Sequence, residues 1–192
     1  MKFILASKSP RRKELLQTIL SDFEIKESSF DEDSIKNKKP TALVKALSKG
    51  KCEKVFEQTS GVRCVIGADT VVVLDNKILG KPKDEFEAKK MLKMLSGKAH
   101  KVLTGVCVKS TIDEELVTTS SFVCCSKVYF KKLSEEEIEN YVSTNEPMDK
   151  AGAYAIQGLA GKFVEKINGS FHNIVGLPVS QLYSILKDEN LI

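Results

Sequence analysis

The run Cys64 to Leu74, CVIGADTVVVL, limits the fold more than any other stretch of this chain. It is β-branched and apolar, carries one charge, and ends at Asp75-Asn76, a turn pair, before Lys77 to Leu79. Such a run reads as a buried strand that turns back through a tight hairpin. The single charge, Asp69, is then the anomaly. A carboxylate in a buried strand needs a partner, a metal or water. Gly67 and Ala68 leave room beside it for a ligand. Asp69 is a candidate Mg²⁺ ligand or water-activating base; the plainer alternative is a strand-end aspartate that caps a turn.

The elements around this strand alternate. Lys2 to Ala6 reads as a short buried strand. Ser9 then caps a helix with Pro10 at its first position, and Leu15, Leu16 and Ile19 form its apolar face. A second helix covers about Thr41 to Gln58. Asp84 caps a helix that ends at Gly97, and Ser134 with Glu137 forms a capping box for a helix to about Ser143. Lys101 to Lys109 and Phe122 to Lys131 read as strands. Val164 to Ile167 and Phe171 to Val175 flank Asn168-Gly169 as another hairpin. Pro178 begins a last helix with Val179, Leu182, Ile185 and Leu186 inward. Strands interleaved with helices and several hairpins imply a mixed sheet in an α/β protein. A chain of 192 residues fits one domain, or one domain with two lobes around a cleft.

Charge and composition exclude several classes. The net charge of +4 is too mild for a protein that coats nucleic acid, and there is no Trp to stack bases. The longest uncharged apolar stretch, around Val71 to Leu74, is too short to span a bilayer. The apolar part of the N-terminus, Phe3 to Ala6, is too short for a signal peptide, so the expected location is cytoplasmic. Five cysteines, an odd number with no CxxC, suggest neither a disulfide framework nor a zinc site. His100 and His172 read as structural.

Three further segments are out of place for structure alone. Ser7-Lys8-Ser9-Pro10-Arg11-Arg12 puts two arginines in the first turn of a helix, next to its positive end. A docked anion would turn that repulsion into a phosphate-binding site on Ser7, Ser9 and Arg12; a solvated basic helix start is the alternative. Gly80-Lys81-Pro82 closes the hairpin that Asp69 opens, so strand pairing can return Lys81 close to Asp69, to hold a phosphate or neutralise the aspartate; on this feature alone an exposed turn lysine is the plainer reading. The segment Asp149 to Gly158, DKAGAYAIQG, is rich in Gly and Ala. It would let backbone approach a ligand while Gln157 reads a base edge; a structural loop is the other reading. Lys51 reads as a solvated charge unless the second helix faces the cleft, and Glu32, in the polar patch Asp31 to Lys39 (a lid or loop candidate), has the same plain reading.

These segments, in this order, resemble the Maf family of nucleoside-triphosphate pyrophosphatases. The matching motifs are SxSPRR at Ser7 to Arg12, GADT at Gly67 to Thr70, GKP at Gly80 to Pro82, and SG..H.V.TGV at Ser96 to Val106. DKAGAY.IQG at Asp149 to Gly158 and NGSFHNIVGLP at Asn168 to Pro178 complete the set. The resemblance implies an elongated mixed sheet with two lobes around a central cleft, like the inosine-triphosphate pyrophosphatases, formed by a single domain over 1–192. It also implies a homodimer, and cleavage of dTTP and UTP, plain or modified, to monophosphate and pyrophosphate with Mg²⁺ or Mn²⁺. Asp69 matches the proton acceptor, and Arg11, Thr70 and Gln157 match positions that set base choice. Glu32, Lys51 and Lys81 match further cleft positions. Arg12 and Lys81 would hold phosphate oxygens, and Asp69 with Glu32 would hold the metal. A nucleotide-binding regulator of cell division and septum formation, with little catalysis, is the alternative that the family name suggests.

Overall fold

The computed structural model describes residues 1–36, 39–111 and 116–192. Its elements are β1 (Lys2–Leu5), α1 (Pro10–Gln17), β2 (Glu24–Ile25), α2 (Pro40–Glu57), β3 (Arg63–Leu74) and β4 (Lys77–Leu79). There follow α3 (Glu85–Leu95), β5 (Ala99–Thr111), β6 (Val117–Phe130), α4 (Glu135–Val142), β7 (Val164–Asn168), α5 (Phe171–Val175) and α6 (Val179–Asp188). The strands form a mixed sheet in the order β2-β1-β3-β5-β6-β7, with β4 on β3. The β1/β2 and β1/β3 pairs are parallel, and β3/β4 and β6/β7 are antiparallel. This is the mixed α/β architecture that the alternation of elements predicts.

The chain divides into two compact units. The first is built from Met1–Asp69, Thr104–Cys124 and Gly176–Ile192, and the second from Thr70–Leu103 and Cys125–Val175. In the first unit, alternation along the strands sends neighbours to opposite faces. Leu5 of β1, Cys64 and Ile66 of β3, and Val106 and Val108 of β5 pack with Leu16 of α1 and Leu182 and Leu186 of α6. Ile4, Val65 and Cys107 pack the other way, with Cys52 and Val55 of α2. Strands covered on both faces explain why β3 reads as a continuous apolar run. Each fully buried Leu or Ile here contributes about 1.5–3 kcal/mol of transfer free energy.

The second unit packs Leu92 and Leu95 of α3, Ile138, Tyr141 and Val142 of α4, and Phe163 against Val102 and Val128. Its helix starts follow the sequence closely. Asp84 accepts from Glu87 N at 2.7 Å, and Ser134 and Glu137 form both bonds of the capping box. Asp75 and Asn76, at φ 48° and 64°, make the tight turn into β4.

One expected hairpin is absent. Val164–Asn168 is a strand, but Phe171–Val175 is a helix. Ser170 Oγ accepts from Asn173 N at 3.2 Å and caps it. Gly169, at φ 119°, packs where a Cβ would lie 3.0 Å from Ser126 Cα, so Asn168-Gly169 ends β7 against β6 instead of turning into a partner strand. A serine directly after a turn pair is a helix signal that outweighed the β-branched residues after it.

Candidate functional site

Asp69 lies on β3, two and four residues beyond Gly67 and Val65. The pleat therefore points it to the α2 side of the sheet, as it does those two. Helix α2 comes unusually close to this face. A Cβ on Gly67 would stand 2.8 Å from Cys52 N, and one on Gly105 of β5 would stand 3.0 Å from Lys45 N. Glycine at both positions lets the helix backbone rest on the sheet backbone. The residue that follows in reach of Asp69 is Lys51. Its Nζ lies 2.6 Å from Asp69 Oδ1 and 3.0 Å from Glu32 Oε1. Asp69 is 8% exposed, so the lysine is what satisfies its buried carboxylate.

Glu32 reaches this point from the 3₁₀ turn Glu32–Ser34, whose Asp31 Oδ1 accepts from Asp33 N at 3.1 Å. Its loop is fixed to α2 by Phe30, whose ring sits over Gly50. A Cβ there would come within 2.7 Å of Phe30 Cε1. Glycine inside a helix costs about 1 kcal/mol against alanine. Here it makes the space that seats Phe30, and with it Glu32, beside Lys51. Lys51, with its side chain 13% exposed, is therefore not a solvated charge; Glu32 stays open to solvent, as read, but shares one cluster with Lys51 and Asp69. Of the polar patch Asp31 to Lys39 that suggested a lid, residues 37 and 38 lie outside the described residues.

The Ser7 to Arg12 segment belongs to the same unit. Ser9 caps α1, its Oγ accepting from Arg12 N at 3.5 Å, and Ser7 Oγ accepts from Ser9 N at 3.2 Å. The Arg12 side chain folds back, donating through Nε to Gly176 O at 2.9 Å and through a terminal nitrogen to Ser7 Oγ at 3.3 Å. Burial pulls Arg12 below the usual arginine range, while Asp69 and Glu32 act against that shift. The electrostatic reach of both carboxylates to Arg12 ties the basic helix start to the acid–lysine cluster. The Gly176 carbonyl had no sequence signal beyond its place in the NGSFHNIVGLP motif. Arg11 is half-buried in the same turn.

Thr70, Lys81 and Gln157 belong to the second unit. The β3/β4 ladder runs from Leu74↔Lys77 to Val72↔Leu79, so Lys81 lies two residues beyond the last paired residue, and it is exposed. Gly152 N donates to Gly80 O at 3.0 Å, which joins the Gly80-Lys81-Pro82 loop to the loop that carries Gln157. Gly152 has φ 71°, and a Cβ there would lie 2.9 Å from Val72 Cγ1. Under this loop, His100 Nε2 and Tyr154 Oη share a hydrogen bond of 2.7 Å. Burial pulls His100 down to about 4 and pushes Tyr154 up. His100 is therefore the hydrogen-bonded core histidine that the sequence suggests.

Among the described residues, no group of three or more His, Cys, Asp and Glu side chains converges as a metal site. The donor set at Asp69 and Glu32 nonetheless fits a hard cation. Two carboxylates already converge on one positive nitrogen, and oxygen donors suit Mg²⁺ or Mn²⁺, which take further ligands from phosphates and water. No helix among the described residues is long and apolar enough to cross a membrane.

Fold and site together define a mixed α/β protein that places a basic, serine-lined helix start beside a buried acid–lysine cluster. The chain belongs to the Maf-like protein family, which it matches over residues 2–189. It is 50% identical over 189 residues to a dTTP/UTP pyrophosphatase of Clostridium novyi (strain NT), covering 98% of this chain and 97% of that one. A dTTP/UTP pyrophosphatase of Clostridium perfringens (strain 13 / Type A) is 47% identical over 192 residues, covering 100% and 98%. One of Thermoanaerobacter sp. (strain X514) is 50% identical over 189 residues, covering 98% and 97%. Among solved structures, the Ham1 protein of Staphylococcus aureus covers 98% of this chain and 100% of its own at 13% identity, with a TM-score of 0.49.

Proposed function

We propose that this protein hydrolyses dTTP and UTP, or modified pyrimidine nucleotides of the same shape, to the monophosphate and pyrophosphate. The observation that carries this reading is the Glu32–Lys51–Asp69 cluster beside the Ser7 to Arg12 loop. The names of relatives that match nearly the whole chain at about half identity support it.

The mechanism follows from what each group can do. Triphosphate oxygens dock at the start of α1, where the helix dipole, the Ser7 and Ser9 hydroxyls and Arg12 attract them. Lys81 adds a second cation. Asp69 takes a proton from a water, and that water attacks the α-phosphorus. Lys51 orients the Asp69 carboxylate through its 2.6 Å contact, so the base needs no reorganisation in the transition state. The leaving group is pyrophosphate, whose growing charge is met by Arg12 and Lys81. Where Mg²⁺ or Mn²⁺ binds, Asp69 and Glu32 are the side chains that would hold it, and it would neutralise phosphate charge. Thr70 and Gln157, with Arg11, read the pyrimidine; a purine would leave their polar groups mispaired. A homodimer completes the reading, on the strength of the family resemblance, with the cytoplasm as its expected location.

The test is a panel of nucleoside triphosphates with Mg²⁺ or Mn²⁺, with pyrophosphate and orthophosphate measured separately. Pyrophosphate from dTTP and UTP but not from GTP is the expected result. No turnover of any nucleotide by the folded protein would overturn the reading.

A further inference from the structure

Gln157 is exposed, yet the backbone around it is fixed with unusual thoroughness. It sits in the turn Ala155 to Gly158, closed by Gly158 N donating to Ala155 O at 3.1 Å. One phenol and one carboxylate bind both flanks of this turn. Ala155 N donates to Tyr141 Oη at 3.4 Å, and Leu159 N donates to Glu146 Oε2 at 3.0 Å. Tyr141 Oη in turn donates to Glu146 Oε1 at 2.9 Å. Both Glu146 oxygens are thereby used, and the two clamps share one hydrogen bond.

The supports of the clamp are rigid. Tyr141 is 1% exposed and packs edge-on to Phe163, with ring centroids 5.3 Å apart. Glu146 opens the 3₁₀ turn Glu146–Asp149, after Asn145 in the left-handed region at φ 61°. Gly158 belongs to the arrangement: a Cβ there would lie 2.6 Å from Glu146 Cδ, so only glycine lets the carboxylate pass against the turn. An exposed glutamine on a free loop would lose conformational entropy when it engaged a ligand. A turn ordered in advance removes that cost.

From this geometry we infer that Glu146 and Tyr141 are positioning residues for Gln157, holding its turn so that its amide meets the pyrimidine ring. The inference rests on the reading of Gln157 as a base-reading residue.

The experiment compares Gln157→Ala, Glu146→Ala, Glu146→Gln, Tyr141→Phe and Gly158→Ala. It measures KM and kcat for dTTP and the inhibition constant of inorganic tripolyphosphate, which has no base. Glu146→Ala raises the KM for dTTP about tenfold, as does Gln157→Ala, the factor that one lost hydrogen bond carries. Both leave kcat and the tripolyphosphate constant near wild type. Glu146→Gln restores the KM, because its amide oxygen accepts from Leu159 N and its amide nitrogen donates to Tyr141 Oη. The Glu146→Ala, Gln157→Ala double variant is no worse than either single one; a structural role unrelated to Gln157 would make the losses add.

If Gln157→Ala raises the KM while Glu146→Ala and Tyr141→Phe do not, the positioning role is wrong and base reading stands. If Gln157→Ala itself changes nothing, both are wrong. Should Glu146→Ala fail to fold, Tyr141→Phe and Gly158→Ala carry the same prediction, and an unchanged KM in both overturns it.

Discussion

Lys51 Nζ lies 2.6 Å from Asp69 Oδ1, across 18 positions of sequence, because helix α2 rests its backbone on β3 at Gly67. The lysine neutralises the one carboxylate in an otherwise apolar strand and aims it. The chemistry assigned to Asp69 depends on that pairing.

Asp69→Asn keeps the shape and a hydrogen-bonding oxygen but removes the base. Turnover of dTTP should fall by about 10²–10⁴-fold, the usual worth of a positioned general base. Circular dichroism and melting should show a folded protein. Near-full turnover would remove Asp69 from the mechanism.

Lys51→Met strips a buried carboxylate of its partner. Breaking a buried pair from one side costs about 3 kcal/mol. Urea unfolding should register that loss, together with a collapse of kcat. Glu32→Gln is the contrast, since the Glu32 side chain is 55% exposed. Its stability should stay within about 0.5 kcal/mol of wild type while the metal concentration needed for half-maximal rate rises.

Gly67→Ala adds one methyl where Cys52 N would be 2.8 Å away. Helix α2 must move off the sheet, and Lys51 moves with it. Overpacking of this kind costs about 1–3 kcal/mol, and activity should drop although no charged residue is altered. Gly50→Ala should act more locally, through Phe30 and Glu32.

His100 gives a pH prediction. Its folded value, about 4, lies below the ordinary value of 6.5, because burial disfavours the cation. The unfolded chain therefore takes up a proton that the folded one refuses. Stability from this group is present above pH 6.5 and is lost as pH falls toward 4, by up to about 3 kcal/mol. Denaturation at pH 7 and pH 5 should show a smaller difference for His100→Phe than for wild type. Equal differences would remove His100 as the source.

Much of this was legible in the sequence because local rules decided it. Ser9-Pro10, Asp84 and the Ser134–Glu137 box announced their helices, and Asp75-Asn76 its turn. Asp69 announced itself by its cost. Lys51 and Glu32 entered only through the family resemblance, because a charged residue on a helix or polar loop looks solvated until the tertiary packing is known. The sign that could have found them is the pair of strand glycines, Gly67 and Gly105, which mark where another backbone comes close. The helix at Phe171–Val175 was missed because β-branched and aromatic residues outweighed the Ser170 cap in a strand-like reading. The Glu146–Tyr141 clamp joins residues on separate elements, a contact that no local pattern encodes.

The most direct test of the central claim is hydrolysis of dTTP in ¹⁸O-labelled water, with each product weighed by mass spectrometry. Attack on the α-phosphorus by a water that Asp69 activates puts the label in thymidine monophosphate and leaves pyrophosphate unlabelled. Label in pyrophosphate or orthophosphate, with unlabelled nucleotide, would contradict the account.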